Sequence, residues 1–461
     1  MMACLRLRSA AIAIALQLFL GGCASMIPAY QRPAAPVAAA YPGVPAAQDS
    51  SAAASDIEWQ DFFSDARLQR LIGAALHNNR DLRVAMLNIE QARAQLQLRR
   101  ADELPTVGIG ASGSRQPSGS GYSAGLAVTA YELDFFGRVR SLSAAALAQY
   151  LATEEARKNV QIALVSAVAN TYLNLLADDA LLALTRRTLV TREDSLKLTK
   201  LKFEVGAASE LDYRQAESLR EGARATLAQL MRQRALDENA LVLLLGQALP
   251  ADLPQGAEIG DQMLIGELPA GMPSEVLARR PDVRQAEQQL IAANANIGAA
   301  RAAFFPKISL TGSAGTASSQ LSGLFRSGSA AWSFMPQLLL PIFDSGRNQA
   351  TLDVANVNRD IALAQYEKAI QAAFREVADA LAGRATLGEQ LRAQEAQAHA
   401  EAQRYKLADL RYRNGAASYL DVLDAQRALF AAQQALVQVQ AQQVQNKVSL
   451  YKVLGGGWKT P

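Results

Sequence analysis

Few residues in this sequence have the type and spacing to do chemistry. His77 and His399 are its two histidines and stand in unlike contexts. They leave almost no raw material for a His-based metal cluster or a Ser-His-Asp triad. No serine occupies a nucleophile-elbow setting. Gly108-Ile109-Gly110-Ala111-Ser112-Gly113 spells a dinucleotide-binding string, but the residues after it alternate as a strand does, where such a site needs a helix. An enzyme is therefore not expected, and neither is a metal or a cofactor. Two features remain: a cysteine near the start, and aspartates placed beside glycine turns.

The cysteine is Cys23. Arg6 and Arg8 precede an apolar run from Ala10 to Leu20, interrupted only by Gln17. A run of about 11 residues suits a secretory signal and is too short to span a bilayer. Leu20-Gly21-Gly22-Cys23 follows directly and resembles the lipobox at which bacterial lipoprotein precursors are acylated and cut. Residues 1–22 are then a signal peptide and Cys23 the site of lipid attachment. Cleavage also removes Cys4, so the mature chain holds one cysteine and no internal disulfide. Several acyl chains on it, at about 0.8 kcal/mol per buried CH₂, give firm anchoring. Ala24 in place of Asp favours the outer membrane by the bacterial sorting rule.

The aspartates belong to a motif that occurs twice. Gly206-Ala207-Ala208-Ser209-Glu210-Leu211-Asp212 and Gly415-Ala416-Ala417-Ser418-Tyr419-Leu420-Asp421 agree at all positions but one. Gly206 and Gly415 suit the positive-φ position past a helix C-terminus. Ser209 and Ser418 suit N-caps, with Asp212 and Asp421 three residues on in capping-box fashion. Asp424 lies beyond the cap, and its repeat partner is Gln215, so the repeat does not require it.

Those turns sit inside a longer duplication. Asp81 to Ser114 matches Asp282 to Gly315, and from Gly137-Arg138 against Gly346-Arg347 the match continues to Gly246 against Gly455. The sequence predicts an extended tail over 23–55, a first unit over 56–246, a connector over 247–273, a second unit over 274–455 and a short tail over 456–461. In each unit a helix of about 35 residues ends before Pro105 or Pro306. A hairpin region follows, about 105–136 or 306–345, and then two long helices joined at the glycine turn.

From about Ser141 to Glu204, and again from about Asn348 to Tyr412, no proline interrupts a run of good helix formers. Val168, Leu175, Leu182, Leu189, Leu196 and Phe203 fall seven apart, a stripe that a supercoiled helix keeps on one side. Some 60 residues at 1.5 Å each make about 90 Å, too long for a globule, so the helices should project as coiled coils. Val107, Ile109 and Ala111, then Leu126, Val128 and Ala130, alternate, as do Lys307–Ala314 and the series Trp332, Phe334, Leu338, Leu340. Period two suits transmembrane strands, with hairpin loops over Ser114–Ser123 and Gly315–Ala330. A lipid-facing sheet must close, and small barrels start at about eight strands. One chain offers four.

Composition closes other routes. The 46 basic and 43 acidic residues leave a net charge of +3, and no basic run is interleaved with aromatics, so nucleic acid is not expected as a partner. A periplasmic coiled-coil scaffold or adaptor lipoprotein has no use for lipid-facing strands.

The sequence resembles the TolC/OprM family of outer-membrane efflux proteins, closest to the lipoprotein members serving RND-type pumps. Trp59 with Phe62-Phe63, Glu132-Leu133-Asp134-Phe135-Phe136-Gly137-Arg138, Arg279-Arg280-Pro281-Asp282, Phe304-Phe305-Pro306, Leu340-Pro341-Ile342-Phe343 and Leu420-Asp421-Val422-Leu423-Asp424 carry the likeness. It implies a mixed α+β membrane fold, a homotrimer whose 12-stranded β-barrel continues into a long α-helical periplasmic barrel. It also implies a passive duct for drugs or other toxic solutes in a Gram-negative outer membrane, or alternatively a type I-like protein-secretion duct. A periplasmic adaptor and an inner-membrane RND-type transporter would dock at the tip turns, around Gly206, Ser209 and Leu211 and around Gly415, Ser418 and Leu420. Asp421 and Asp424 match the family's entrance ring, and Asp212 with Tyr412 a latch of the closed state. Ala417 stands where some members carry a basic gating residue, and Arg413 is the candidate substitute.

Overall fold

The computed structural model describes residues 25–42, 56–254 and 278–459, with Gly256, Ile259, Leu264, Leu268 and Val276 between them. The signal segment and Cys23 lie outside the described residues. In chain order the elements are α1 (Trp59–Phe62), α2 (Ala66–Asn78), α3 (Arg80–Ala101), β1 (Val107–Gln116), β2 (Gly119–Leu133), α4 (Arg138–Glu204), α5 (Glu210–Leu245), α6 (Pro281–Ala302), β3 (Lys307–Ser318), β4 (Ala330–Leu339), α7 (Arg347–Arg413) and α8 (Tyr419–Val453). They form two compact units. One comprises Met1–Ala35, Met86–Ala156 and Asp282–Ala369, and the other Pro36–Ala85, Arg157–Pro281 and Ile370–Pro461.

The first unit holds one antiparallel sheet in the order β1-β2-β3-β4. Cross-strand rows explain its two faces. Ile109 pairs with Leu126, Leu126 with Ala314 and Ala314 with Trp332, while Val107, Val128, Gly312 and Phe334 form the next apolar row. The opposite face is hydroxylated: Ser112 and Ser123 hydrogen-bond at 2.8 Å, and Ser313 and Ser333 at 2.7 Å. The apolar face is open, with Ile109 at 88% and Trp332 at 80% exposure. Among the described residues β1 pairs only with β2 and β4 only with β3, so both edges of the sheet are unpaired there. At the centre Gly125 pairs with Gly315, and a Cβ on Gly125 would fall 2.6 Å from the Gly315 Cα. Only glycines allow that approach.

Sequence-based boundaries moved here for identifiable reasons. The loop expected over Ser114–Ser123 shrinks to Pro117-Ser118, because the serine and glycine residues around it join the ladder. The second loop begins only after Ser318. Ala130 does not continue the alternation. It adopts φ 52° at a bulge between Val128 and Tyr131, which returns Tyr131 and Leu133 to the face that Val128 leaves.

The second unit is built around a core of Phe62, Phe63, Leu68, Ile72, Val168, Leu173, Leu241, Leu245, Val448 and Tyr451. Phe62 stacks on Tyr451 with centroids 4.0 Å apart, and burying each such side chain stabilises by about 1.5–3 kcal/mol. Asp65 caps α2 through the Arg67 and Leu68 amides and accepts a 3.0 Å bond from the Tyr172 hydroxyl on α4. The single helix of about 35 residues expected here is two. Asn79 separates α2 from α3, donating to the Leu244 carbonyl at 2.9 Å and accepting from the Leu82 amide at 2.9 Å. The tail is pinned in places: Tyr41 is buried and stacks on Phe374.

α4 and α7 each run 67 residues, about 100 Å at 1.5 Å per residue. α4 contains a stretch apolar and long enough to cross a membrane, but 56% of it is buried inside the protein, where Val168, Tyr172 and Leu173 join the core. Along the heptad stripe Val168, Leu175 and Leu182 are buried, whereas Phe203 is 39% exposed, so the seam loosens toward the turn.

Asp178 on α4 is buried; burial first, then the nearby Asp237 carboxyl of α5, pushes its carboxyl up to about 7. Nearby, Arg234 bridges Asp179 and Glu238, each at 2.6 Å. Asp178 in an unfolded chain releases its proton near 4. The folded chain therefore holds the extra proton between those values, and stability falls as pH rises from about 4 to about 7. Asp178→Asn is expected to flatten that slope and to raise the thermal midpoint above pH 7 by several degrees, read by circular dichroism melts across pH.

Candidate functional site at the helical turns

The turns α4–α5 and α7–α8 are built alike. Gly206 and Gly415 adopt φ 75° and 71°. Ala207 donates to the Lys202 carbonyl at 2.7 Å, and Ala416 to the Arg411 carbonyl at 2.8 Å, closing each helix end. Ser209 and Ser418 then open the next helices with full capping boxes. The Asp212 amide donates to Ser209 Oγ at 3.1 Å, and the Ser209 amide to Asp212 Oδ2 at 3.2 Å. In the second turn the same bonds measure 3.3 and 3.0 Å between Ser418 and Asp421. Hydrogen bonds from the Ser418 side chain and backbone hold the Asp421 carboxyl below its ordinary range. Leu211 and Leu420 point outward, 66% and 51% exposed.

The residues predicted for gating are brought near these turns but find other partners within the chain. Asp212 serves its own capping box, and Tyr412 accepts a 2.9 Å hydrogen bond from Lys202, whose ammonium also lies 4.6 Å from the ring centroid. Arg413 pairs with Asp409 one turn earlier at 2.9 Å. Asp424 is exposed and ion-paired to Arg404, which also holds Glu401 at 3.2 Å. Beneath them Ala216, Tyr419, Val422 and Leu423 form a small core, with Tyr412 packed against it. Sequence motifs alone do not single out Lys202. The repeat carried a signal for it, since Lys202 aligns with Arg411 and both place a cation in the last turn of a long helix.

Among the described residues no cluster of His, Cys, Asp or Glu could hold a metal ion. The Gly108–Gly113 string lies within β1 and leads into β2 rather than a helix. What the geometry offers is a sheet with an apolar face, long helices and two turns closed by hydrogen bonds and ion pairs.

The model of the outer membrane efflux protein family matches residues 71–247 and again 272–456. This chain belongs to that family. One match falls in each half of the internal repeat. The probable efflux pump outer membrane protein TtgC of Pseudomonas putida is 52% identical over 95% of this chain and 93% of its own length. OprJ of Pseudomonas aeruginosa is 48% identical over 97% of this chain and 95% of its own. Among solved structures, the open state of the Neisseria gonorrhoeae MtrE outer membrane channel superposes with a TM-score of 0.87 at 42% identity, covering 95% of this chain and 99% of that one. A Pseudomonas aeruginosa membrane protein reaches 0.88 at 46% identity, covering 94% of this chain and 98% of its own.

Within this family member, Lys202 and Tyr412 tie α4 to α7. Lys202→Met and Tyr412→Phe are each expected to destabilise by about 1 kcal/mol, with the double variant no worse than either alone because one contact is removed. Denaturant melts of the four proteins read this.

Proposed function

We propose that three copies of this chain form the passive outer-membrane exit duct of a tripartite efflux system, with no chemistry of its own. The observation that carries the reading is the four-stranded sheet, apolar on one face and, among the described residues, unpaired at both edges. Such a sheet in lipid needs further strands, and three copies supply twelve, enough for a barrel with an open interior. The long helices then carry the duct into the periplasm, toward an adaptor and an inner-membrane transporter of the RND type that supplies the energy. Acylation at Cys23 anchors each copy. Relatives are named for efflux of toluene, solvents and antibiotics, and small toxic solutes are the cargo we assign here.

In this reading the tip turns, with Gly206, Ser209 and Leu211 and with Gly415, Ser418 and Leu420, meet the adaptor. Asp421 and Asp424 from three copies gather carboxylates at the entrance and favour cations. Lys202, Tyr412, Asp212 and Arg413 belong to the machinery that holds the tip. Purified protein in planar bilayers is expected to conduct with a cation preference. Asp421→Asn with Asp424→Asn should bring the cation-to-anion permeability ratio down several-fold toward one. An unchanged ratio would remove the acidic ring, and a protein that never conducts would remove the duct.

A further inference from the structure

In the second unit a cavity of about 270 Å³ opens between α4, α7 and α8, well before the turns along the helices. Its wall combines Leu429 and Phe430 with Arg187, Arg192, Tyr405 and Gln426. Arg192 is only 6% exposed. One terminal nitrogen donates to the Leu219 carbonyl on α5 at 2.9 Å, and the guanidinium lies 5.1 Å from the Phe430 ring centroid. Its Nε is buried without a hydrogen-bond partner. Gln426, 8% exposed, donates to the Tyr405 hydroxyl at 3.2 Å and leaves its own Oε1 buried and unpaired.

The charge is as unbalanced as the hydrogen bonding. Two arginines line the cavity and, among the described residues, no carboxylate does. Burial and then the nearby Arg427 lower the proton affinity of Arg192. The buried Arg280 shows the ordinary solution, a 2.7 Å ion pair with Glu376, because an uncompensated buried charge is strongly unfavourable. The internal repeat does not demand a cation here either, since Arg192 aligns with Glu401.

We propose that this cavity binds a small organic anion, a monocarboxylate with an aromatic or branched apolar body. The carboxylate would meet the free edge of the Arg192 guanidinium, whose planar fork matches two oxygens. The apolar body would lie against Phe430 and Leu429, and a water or hydroxyl would donate to Gln426 Oε1. Because Arg192 already joins α4 to α5 and Phe430 belongs to α8, the bound anion would brace the helices together. This site is independent of the entrance aspartates, so its test does not depend on conduction.

Benzoate titrated into the purified full-length assembly by calorimetry is the direct test, with benzyl alcohol and inorganic phosphate as comparisons. Saturable benzoate binding is expected, with a raised thermal midpoint and weak or absent binding of the other two. Arg192→Gln should weaken benzoate at least tenfold, and Arg192→Lys should recover only part. Leu429→Trp, which fills the cavity and leaves the charge, should also abolish binding and keeps the test decisive if an Arg192 variant fails to assemble. Binding indifferent to both positions would overturn the proposal. So would phosphate binding as tightly as benzoate, or an assembly that takes no benzoate because a neighbouring copy already fills the cavity.

Discussion

A backbone amide or carbonyl facing hydrocarbon without a partner costs several kcal/mol, and β1 and β4 each present a row of them. Among the described residues no strand pairs with these edges, since the strand order ends with β1 on one side and β4 on the other. The exposed face between them, with Ile109, Leu126, Trp332 and Phe334, makes water an equally poor surrounding. Both problems have one solution: copies of the same sheet, joined edge to edge, with the apolar rows outward and the serine rows inward. Oligomerisation is then part of the fold rather than an addition to it.

The duplication provides the parts for this arrangement, and its imperfections provide the local detail. Equal 67-residue helices, two glycine turns and two capping boxes come from the repeat. Where the halves diverge, side chains take specialised partners. Glu132 at the end of β2 binds Arg138 at 2.7 Å and Lys307 of β3 at 3.2 Å, while the matching position in the second half is Pro341. Asp424 has Gln215 as its counterpart and an arginine partner of its own. The bulge at Ala130 has no equivalent in β4, whose register with β3 runs unbroken.

Much of this was legible in the residues. Long helices declare themselves through the absence of proline over dozens of positions, and the capping boxes through serine and aspartate at fixed spacing. Strand number followed from period-two alternation. The rest depends on partners distant in sequence. Asn79 breaks a helix because the Leu244 carbonyl, on another helix, draws its side chain. Alanine carries no mark of a left-handed conformation, so the bulge could not be read. Ser114 to Ser123 has loop composition and becomes strand because each half supplies the other's ladder. Family likeness pairs Asp212 with Tyr412, whereas the chain's own contacts give Tyr412 to Lys202. Cationic residues near a turn have many candidate partners, and sequence spacing does not choose among them.

The central claim is that identical neighbours complete the sheet. Native mass spectrometry of the protein, purified from the outer membrane and released from its detergent micelle, measures this without reference to transport. The account requires a complex of three chains. A particle of one chain or two, stable in the same conditions and still folded, would contradict it.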